Sequence, residues 1–154
     1  MKKTPRLFAV YWKHDDPKKN TIMRLKKHHL IKVVPKLRYV PRKSIILDPF
    51  SDNYLIPTDR NEIERYGLTV IDCSWKKIDD VFRTKYRTGR KLPPLVAANG
   101  VNYGKWNKLS SVEALGAALY ITGFKDKAHE LLSKFKWGLN FLKINDERFV
   151  NYKN

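Results

Sequence analysis

Short, continuously apolar runs alternate with helix signals through the first two thirds of this 154-residue chain. Such runs predict strands covered on both faces, because a strand with one solvated face alternates apolar and polar side chains. Helices between the strands provide the long connections that parallel pairing needs. We therefore predict an α/β fold with a mostly parallel sheet. The predicted strands are Leu7 to Trp12, Ile31 to Val34, Ser44 to Leu47, Leu68 to Asp72 and the run PLVAA, Pro94 to Ala98.

Capping residues mark the helices between these strands. Thr21 is predicted to cap a helix that runs through IMRLKKHHL. Asp59 and Glu62 match a capping box for the next helix, and Gly67 is predicted to end it. A further helix is predicted from the helical spacing of Ile78, Val81 and Phe82.

After Ser110 the pattern becomes predominantly helical. Ser110 and Glu113 form a second capping box, and the helix that follows is predicted to end at Gly123. The next helix is predicted to close at Trp137-Gly138, and Asn145 is predicted to cap a short terminal one.

The length of the chain fits one compact domain. We predict an α/β part in residues 1–94 and a mostly helical part in residues 95–154. The change of pattern near residue 95 is interpreted as a change of layer within one body, because no linker-like segment separates the two parts.

The charge is concentrated in the N-terminal third. The formal net charge is +17, and residues 1–43 hold 14 Lys and Arg residues against 2 acidic ones. A polyanionic partner is the usual reason to tolerate such self-repulsion, and we favour nucleic acid over a merely solvated surface. An anionic membrane is not favoured, because the basic residues adjoin no long apolar face. Candidate RNA contacts are Lys18, Lys19, Arg24, Lys27, Arg42 and Lys43.

The residue inventory argues against several common sites. Cys73 is the single cysteine, and the four His residues lack the paired spacing of a metal site, so we predict no metal. The chain has no Walker loop, no GxGxxG after a strand and no GxSxG elbow. It has neither a signal peptide nor an apolar span of about 18 residues, and we expect a cytoplasmic protein.

Polar residues follow several of the predicted strands, and ligands of open parallel sheets bind beyond the carboxyl ends of strands. Asp48-Pro49 follows the third strand, Asp72 ends the fourth, and AANGVNYG, Ala97 to Gly104, overlaps the end of the fifth and follows it. Thr21, after the first strand and its turn, and Trp75, just after Asp72, belong to the same set of strand-end residues. Ordinary structural explanations exist as well: Asp48-Pro49 can be a turn, Thr21 a helix cap and Trp75 a core residue. Their coincidence at strand ends favours a binding cleft.

Six segments, in this order along the chain, resemble the small-subunit (16S/18S) ribosomal RNA aminocarboxypropyltransferases of archaea and eukaryotes. The combination of IDCSW with AANGVNYG is the most specific part, and the resemblance spans nearly the whole chain. It implies a SPOUT-like fold with a C-terminal trefoil knot. The segments are DPKKNT (Asp16 to Thr21), ILDP (Ile46 to Pro49), IDCSW (Ile71 to Trp75), LPPLVAANGVNYG (Leu92 to Gly104), LSSVEALGAALYITGF (Leu109 to Phe124) and FKWGLNFLKIN (Phe135 to Asn145).

The resemblance also implies an activity. Enzymes of this family transfer the 3-amino-3-carboxypropyl group of S-adenosylmethionine to N3 of a uridine, typically N1-methylpseudouridine, in small-subunit rRNA, and methylthioadenosine leaves. Two alternatives stay open: a SPOUT-class RNA methyltransferase, and a noncatalytic rRNA-binding protein of ribosome assembly. We expect the partner to be small-subunit rRNA or a pre-ribosomal subunit, and the protein to act as a monomer.

Residue by residue, the resemblance implies a set of contacts to S-adenosylmethionine. Thr21 would hold the methionine carboxylate, Asp72 would lie near the sulfonium as base or electrostatic partner, and Trp75 would cover the methyl group. Gly100 and Trp106 stand where many relatives have Pro, so the loop backbone is less preset. Further contacts are implied for Leu47, Pro49, Ile71, Leu95, Ser110 and Ala114.

Overall fold

The apolar runs pair into a parallel sheet in the structure, a computed structural model that describes residues 4–11, 21–72, 86–100, 102–105 and 108–152. The sheet has the order β2-β1-β4-β3-β5, with every neighbouring pair parallel. The predicted α/β class is confirmed. The strands are β1 (Leu7–Tyr11), β2 (Lys32–Val34), β3 (Ile45–Leu47), β4 (Leu68–Asp72) and β5 (Gly89–Arg90).

Helices cover one face of this sheet. Apolar side chains of β1, β3 and β4 form one core cluster with side chains of the first four described helices. The described helices are α1 (Thr21–Lys27), α2 (Arg60–Tyr66), α3 (Ser111–Ile121), α4 (Lys125–Leu132), α5 (Gly138–Ile144) and α6 (Asp146–Asn151). None of them is long and apolar enough to cross a membrane.

The opposite face of the sheet is covered as well. Val10, Val34, Ile46 and Ile71 form a second cluster there, against residues that include Tyr86. Burial on both faces is the reason that the strands are continuously apolar.

Helix α3 belongs to two cores at once. Leu115 packs in the cluster against the sheet, whereas Ala117 packs with Phe141 and Phe149 in a third cluster among the C-terminal helices. The helical C-terminal part is therefore joined to the sheet through α3.

The predicted fifth strand at Pro94 to Ala98 is wrong. The fifth strand is Gly89–Arg90, which pairs with β3. The run was apolar because residues such as Leu95 are buried among the C-terminal helices. The backbone of Val96 is bound by a side chain: its N–H donates to Oδ1 of Asn145 at 2.8 Å, and its carbonyl accepts from Nδ2 at 2.8 Å.

Two predicted side-chain caps are also wrong. Asp59 precedes α2 without capping it, because its Oδ2 accepts from the Ile56 N–H at 2.9 Å and its Oδ1 pairs with Arg90 at 3.4 Å. Asn145 precedes α6 without capping it, because its buried amide binds the Val96 backbone.

The remaining helix boundaries agree in part with the predictions. The Ser110 and Glu113 capping box is confirmed, and Gly123 follows α3 with a φ of 88°. Thr21 is the first residue of α1 and so lies within the helix that it was predicted to cap. Helix α4 ends at Leu132, and Gly138 begins α5. The predicted helix with Ile78, Val81 and Phe82 lies outside the described residues.

Candidate functional site at the carboxyl edge of the sheet

The carboxyl ends of the parallel strands share one edge of the sheet, which we name the carboxyl edge. The connection that leaves β1 leads to β2 on one side, and the connection that leaves β4 leads to β5 on the other side. A topological switch point therefore lies between the neighbouring strands β1 and β4, and such points are common ligand sites. Tyr11 and Asp72 are the last paired residues there.

The end of β4 carries a backbone carbonyl that β3 cannot satisfy. The Ile45 N–H donates to the Gly67 carbonyl, so by alternation the Ile71 carbonyl also points towards β3. The ladder with β3 ends at the pair Leu47 and Val70. The next residue of that chain on this side is Pro49, which has no N–H. The Ile71 carbonyl is therefore suited to accept a hydrogen bond from a ligand hydroxyl.

Helix α3 begins against Asp72. The Ser111 hydroxyl donates to Oδ1 of Asp72 at 2.7 Å, which orients the half-buried carboxylate. Ser110 and Ala114 lie one turn apart at the start of the same helix, where the Ala114 N–H donates to the Ser110 carbonyl at 3.0 Å. Both side chains are small and half-buried, so a flat ligand group can approach the main chain of α3 there.

A buried carboxylate holds the neighbouring loop against this helix. Glu113 is 0% exposed. Its Oε2 accepts from the backbone N–H groups of Ala98 at 2.6 Å and Asn99 at 3.2 Å. Its Oε1 accepts from the Asn99 amide at 2.6 Å and from the N–H and hydroxyl of Ser110, each at 2.9 Å. One side chain thus fixes the loop and the start of α3 relative to each other.

The loop itself is closed by its own backbone. The Gly104 N–H donates to the Ala97 carbonyl at 2.7 Å, and the Ala97 N–H donates to the Lys105 carbonyl at 3.0 Å. At the opposite end, the Asn102 N–H donates to Oδ1 of Asn99 at 3.1 Å. We name residues 97–105 the asparagine loop.

The structure brings most of the predicted cofactor contacts to one region. Leu47, Pro49, Ile71 and Asp72 lie at the ends of β3 and β4, and Asp72 is bonded to the helix of Ser110 and Ala114. Thr21 begins α1, which packs against α3. Leu95 is buried just before the asparagine loop. Trp75 lies outside the described residues.

Of the predicted RNA contacts, three lie at the opposite edge of the sheet. Lys27 ends α1 and precedes β2, and Arg42 and Lys43 precede β3, so all three lie at the amino edge of the sheet, opposite Asp72. Arg24 interacts within the fold: its guanidinium donates to the Lys134 carbonyl at 3.1 Å and lies over the Phe135 ring. Lys18 and Lys19 lie outside the described residues.

Sequence reasoning missed several residues of the carboxyl edge. Lys36 and Arg38 are exposed and follow β2. Both residues come directly after an apolar run, and this position could have placed them at the carboxyl edge. The count of charges along the chain did not consider where each charge lies relative to a strand. Ser111 was also missed, and Glu113 was interpreted only as half of a capping box.

The chemistry of this region suits a cationic, adenosine-like ligand. A carboxylate that is partly exposed attracts a positive charge, the Ile71 carbonyl can accept a hydroxyl donor, and the side chains of Ser110 and Ala114 at the start of α3 are small. Within the described segments, no group of three or more His, Cys, Asp or Glu residues could hold a metal ion.

Comparisons with known proteins give one consistent result. The family model "Ribosome biogenesis protein, C-terminal" matches residues 45–154. The chain is 48% identical to the 16S rRNA aminocarboxypropyltransferase of Thermoplasma volcanium, with 95% of this chain and 88% of that protein covered. It is 42% identical to the enzyme of the same name from Methanocaldococcus jannaschii, with coverage of 97% and 88%.

A solved structure agrees with these relatives. The SAM-dependent rRNA:acp-transferase Tsr3 from Vulcanisaeta distributa superposes with a TM-score of 0.91 at 45% identity. The match covers 96% of this chain and 82% of that one.

The role of Glu113 is tested by Glu113→Gln, which keeps the volume but turns one acceptor into a donor. The new NH2 group would face backbone or side-chain donors, so we expect the free energy of unfolding to fall by about 2–4 kcal/mol in urea titrations. Glu62→Gln, at an exposed position in the first turn of α2, is the matched control and should change it by less than about 0.5 kcal/mol. Equal stabilities of the two variants would contradict the role of Glu113.

Proposed function

This chain belongs to the family of 16S rRNA aminocarboxypropyltransferases, and we propose that the atom it modifies is N3 of a uridine derivative, typically N1-methylpseudouridine. It is an S-adenosylmethionine-dependent transferase that acts on 16S rRNA. The observation that carries the proposal is the Asp72 carboxylate, held by Ser111 where β4 meets α3.

S-adenosylmethionine, when bound, supplies an electrophilic side-chain carbon: the N3–C bond forms as the S–C bond breaks, methylthioadenosine leaves, and the N3 proton passes to a base or to water. The protein has to present that carbon to the RNA and keep the methyl group away from it. Selectivity between the transferred groups is therefore a matter of orientation.

Asp72 is proposed to stabilise the sulfonium. At ~4 Å and an effective dielectric constant of ~20, two opposite unit charges attract by about 4 kcal/mol before desolvation. The Ser111 hydrogen bond keeps the carboxylate in place while the ligand binds. We propose that Asp72 also assists removal of the N3 proton, although a neighbouring positive charge lowers its strength as a base.

The remaining contacts are proposed by position. The Ile71 carbonyl would accept from the ribose, Leu47 and Pro49 would pack on adenine, and Thr21 would bind the methionine carboxylate. Adenine would approach the main chain of α3 at Ser110 and Ala114, the Leu95 backbone would contact the methionine part, and Trp75 would cover the methyl group. The grouping of the described residues at the carboxyl edge supports these assignments.

We propose that residues 95–154 form the knotted part of a SPOUT-like fold and that residues 1–94 form the α/β part of the same body. The chain end returns to much earlier segments, which supports a threaded arrangement: Asn145 binds Val96, and the Tyr152 hydroxyl donates to the Leu55 carbonyl at 2.5 Å. We further propose a monomer, since the site groups named here come from one chain.

For RNA binding we propose two basic regions. Lys36 and Arg38 at the carboxyl edge would contact rRNA close to the modified base. Lys27, Arg42 and Lys43 at the amino edge would contact flanking rRNA, either free or within a pre-ribosomal subunit. Further contacts are proposed for Lys18, Lys19 and Arg24, which belong to the same basic N-terminal third of the chain.

The reaction is tested by analysing the nucleoside products after incubation with 16S rRNA and S-adenosylmethionine. We expect methylthioadenosine, whereas S-adenosylhomocysteine would contradict the proposal.

The role of Asp72 is tested by Asp72→Asn, which should weaken binding of S-adenosylmethionine at least about tenfold in calorimetry, equivalent to about 1.4 kcal/mol. Asp126→Asn, at an exposed position of α4, is the matched control. Unchanged turnover of the cofactor-bound Asp72→Asn enzyme would exclude Asp72 from the chemistry.

The roles of the two basic regions can be distinguished with RNA ligands of different length. Lys36→Ala/Arg38→Ala should weaken binding of both 16S rRNA and a short single-stranded oligonucleotide, because the carboxyl edge contacts the RNA nearest the site. Arg42→Ala/Lys43→Ala should weaken binding of 16S rRNA only, and should reduce the slope of log affinity against log salt by about 1 to 2. If the second pair left 16S rRNA binding and its salt slope unchanged, the amino edge would not contact RNA.

A further inference from the structure

Four aromatic side chains are exposed in the described part of the chain, Tyr39, Phe50, Tyr54 and Tyr103, and the three tyrosines differ in what covers them. The Tyr39 ring lies under the Arg38 guanidinium, and the Tyr54 ring lies under the Lys91 ammonium at 4.4 Å. Tyr103 is 60% exposed, and no cation or ring of the described residues lies over it. More than half of its surface is accessible to an incoming group.

The backbone on either side of this ring is held in place. Tyr103 lies in the asparagine loop, directly before Gly104, whose N–H bonds to the Ala97 carbonyl at 2.7 Å. The neighbouring Ala98 and Asn99 N–H groups are bound by the buried Glu113 carboxylate. A ring on such a loop loses little backbone freedom when it binds a partner.

The same loop contacts the start of α3, where the Asp72 carboxylate is bonded. Glu113 joins Asn99 to Ser110, and the next residue, Ser111, donates to Asp72. Tyr103 is therefore presented on a loop fixed to the wall of the proposed S-adenosylmethionine site.

The sequence around Tyr103 is rich in glycine and lysine. A Cβ atom built on Gly100 or Gly104 would meet nothing within 4 Å, so there is open space beside these two glycines of the loop. Lys105 and Lys108, close by in sequence, are exposed, and the chain carries a net charge of +17. An exposed aromatic ring with exposed lysines close by in sequence suits an unpaired nucleotide, whose base stacks while its phosphate is neutralised.

We propose that Tyr103 is a stacking platform for an unpaired rRNA base next to, or at, the position that the enzyme modifies. The proposal rests on the proposed function, because it takes rRNA as the partner. Stacking would hold the nucleotide outside a helix, which an enzyme needs before it can act on a base edge. Tyr103 would thereby contribute to selection of single-stranded over paired RNA.

The test compares binding of single-stranded oligo-uridine with binding of the same strand annealed to oligo-adenosine. Tyr103→Ala should weaken binding of the single strand about tenfold, the scale of one base-aromatic stack, and leave duplex binding unchanged. Tyr103→Phe keeps the ring and should bind like the wild type. The salt slope should not change, because no charge is removed.

Two controls separate stacking from damage to the fold. S-adenosylmethionine should bind to Tyr103→Ala with wild-type affinity in calorimetry. Tyr54→Ala, which removes an exposed ring that Lys91 already covers, should alter oligo-uridine binding less than about twofold. Wild-type binding of oligo-uridine by Tyr103→Ala would overturn the proposal. An equal loss of oligo-uridine affinity in Tyr103→Ala and Tyr54→Ala would overturn it too. So would an equal loss of affinity for the single strand and the duplex in Tyr103→Ala.

Failure of the stacking proposal can be distinguished from failure of the proposed function. If the wild-type protein releases methylthioadenosine with 16S rRNA while Tyr103→Ala binds and reacts like it, only the stacking proposal fails. If the wild-type protein releases no methylthioadenosine but the oligo-uridine comparison still depends on the Tyr103 ring, stacking is supported and the reaction proposal fails.

Discussion

The buried Glu113 carboxylate is the interaction on which the proposed site depends. It accepts hydrogen bonds from two backbone N–H groups of the asparagine loop, from the Asn99 amide and from Ser110. Leaving a charge in the interior is tolerable because so many donors surround it. Through it, the loop, the start of α3 and, by way of Ser111, the Asp72 carboxylate become one rigid unit.

This unit stands at the switch point of the sheet, so fold and site have a common origin. Parallel pairing gathers the strand ends at one edge, and β4 ends there between β1 and β3. Helix α3 packs against both the sheet and the C-terminal helices, which fixes the helix on two sides. A ligand in this region contacts groups whose positions are already fixed before it binds. Fixed positions of this kind decide which carbon of a sulfonium faces an RNA nucleophile.

Sequence alone predicted the sheet wherever burial on both faces made the strands apolar, as in β1 and β4. It failed for β5, because Gly89 and Arg90 carry no apolar signal, and for Pro94 to Ala98, whose apolar residues are buried by helices while Asn145 binds the Val96 backbone. The Glu113 capping box could be predicted from local spacing. Its bonds to the loop could not, because they join residues 14 or 15 positions apart. Charge counts likewise did not tell one edge of the sheet from the other.

The location of the site is the central claim, and hydrogen exchange of the folded protein with and without S-adenosylmethionine tests it most directly. Binding should slow exchange of amides in and around the asparagine loop, in the first turn of α3 and at the end of β4, because the ligand would order these segments together. Slowed exchange confined to the groove between Tyr120 and Leu139, near the other end of α3, would contradict the location. Unchanged exchange at saturating S-adenosylmethionine would contradict it as well.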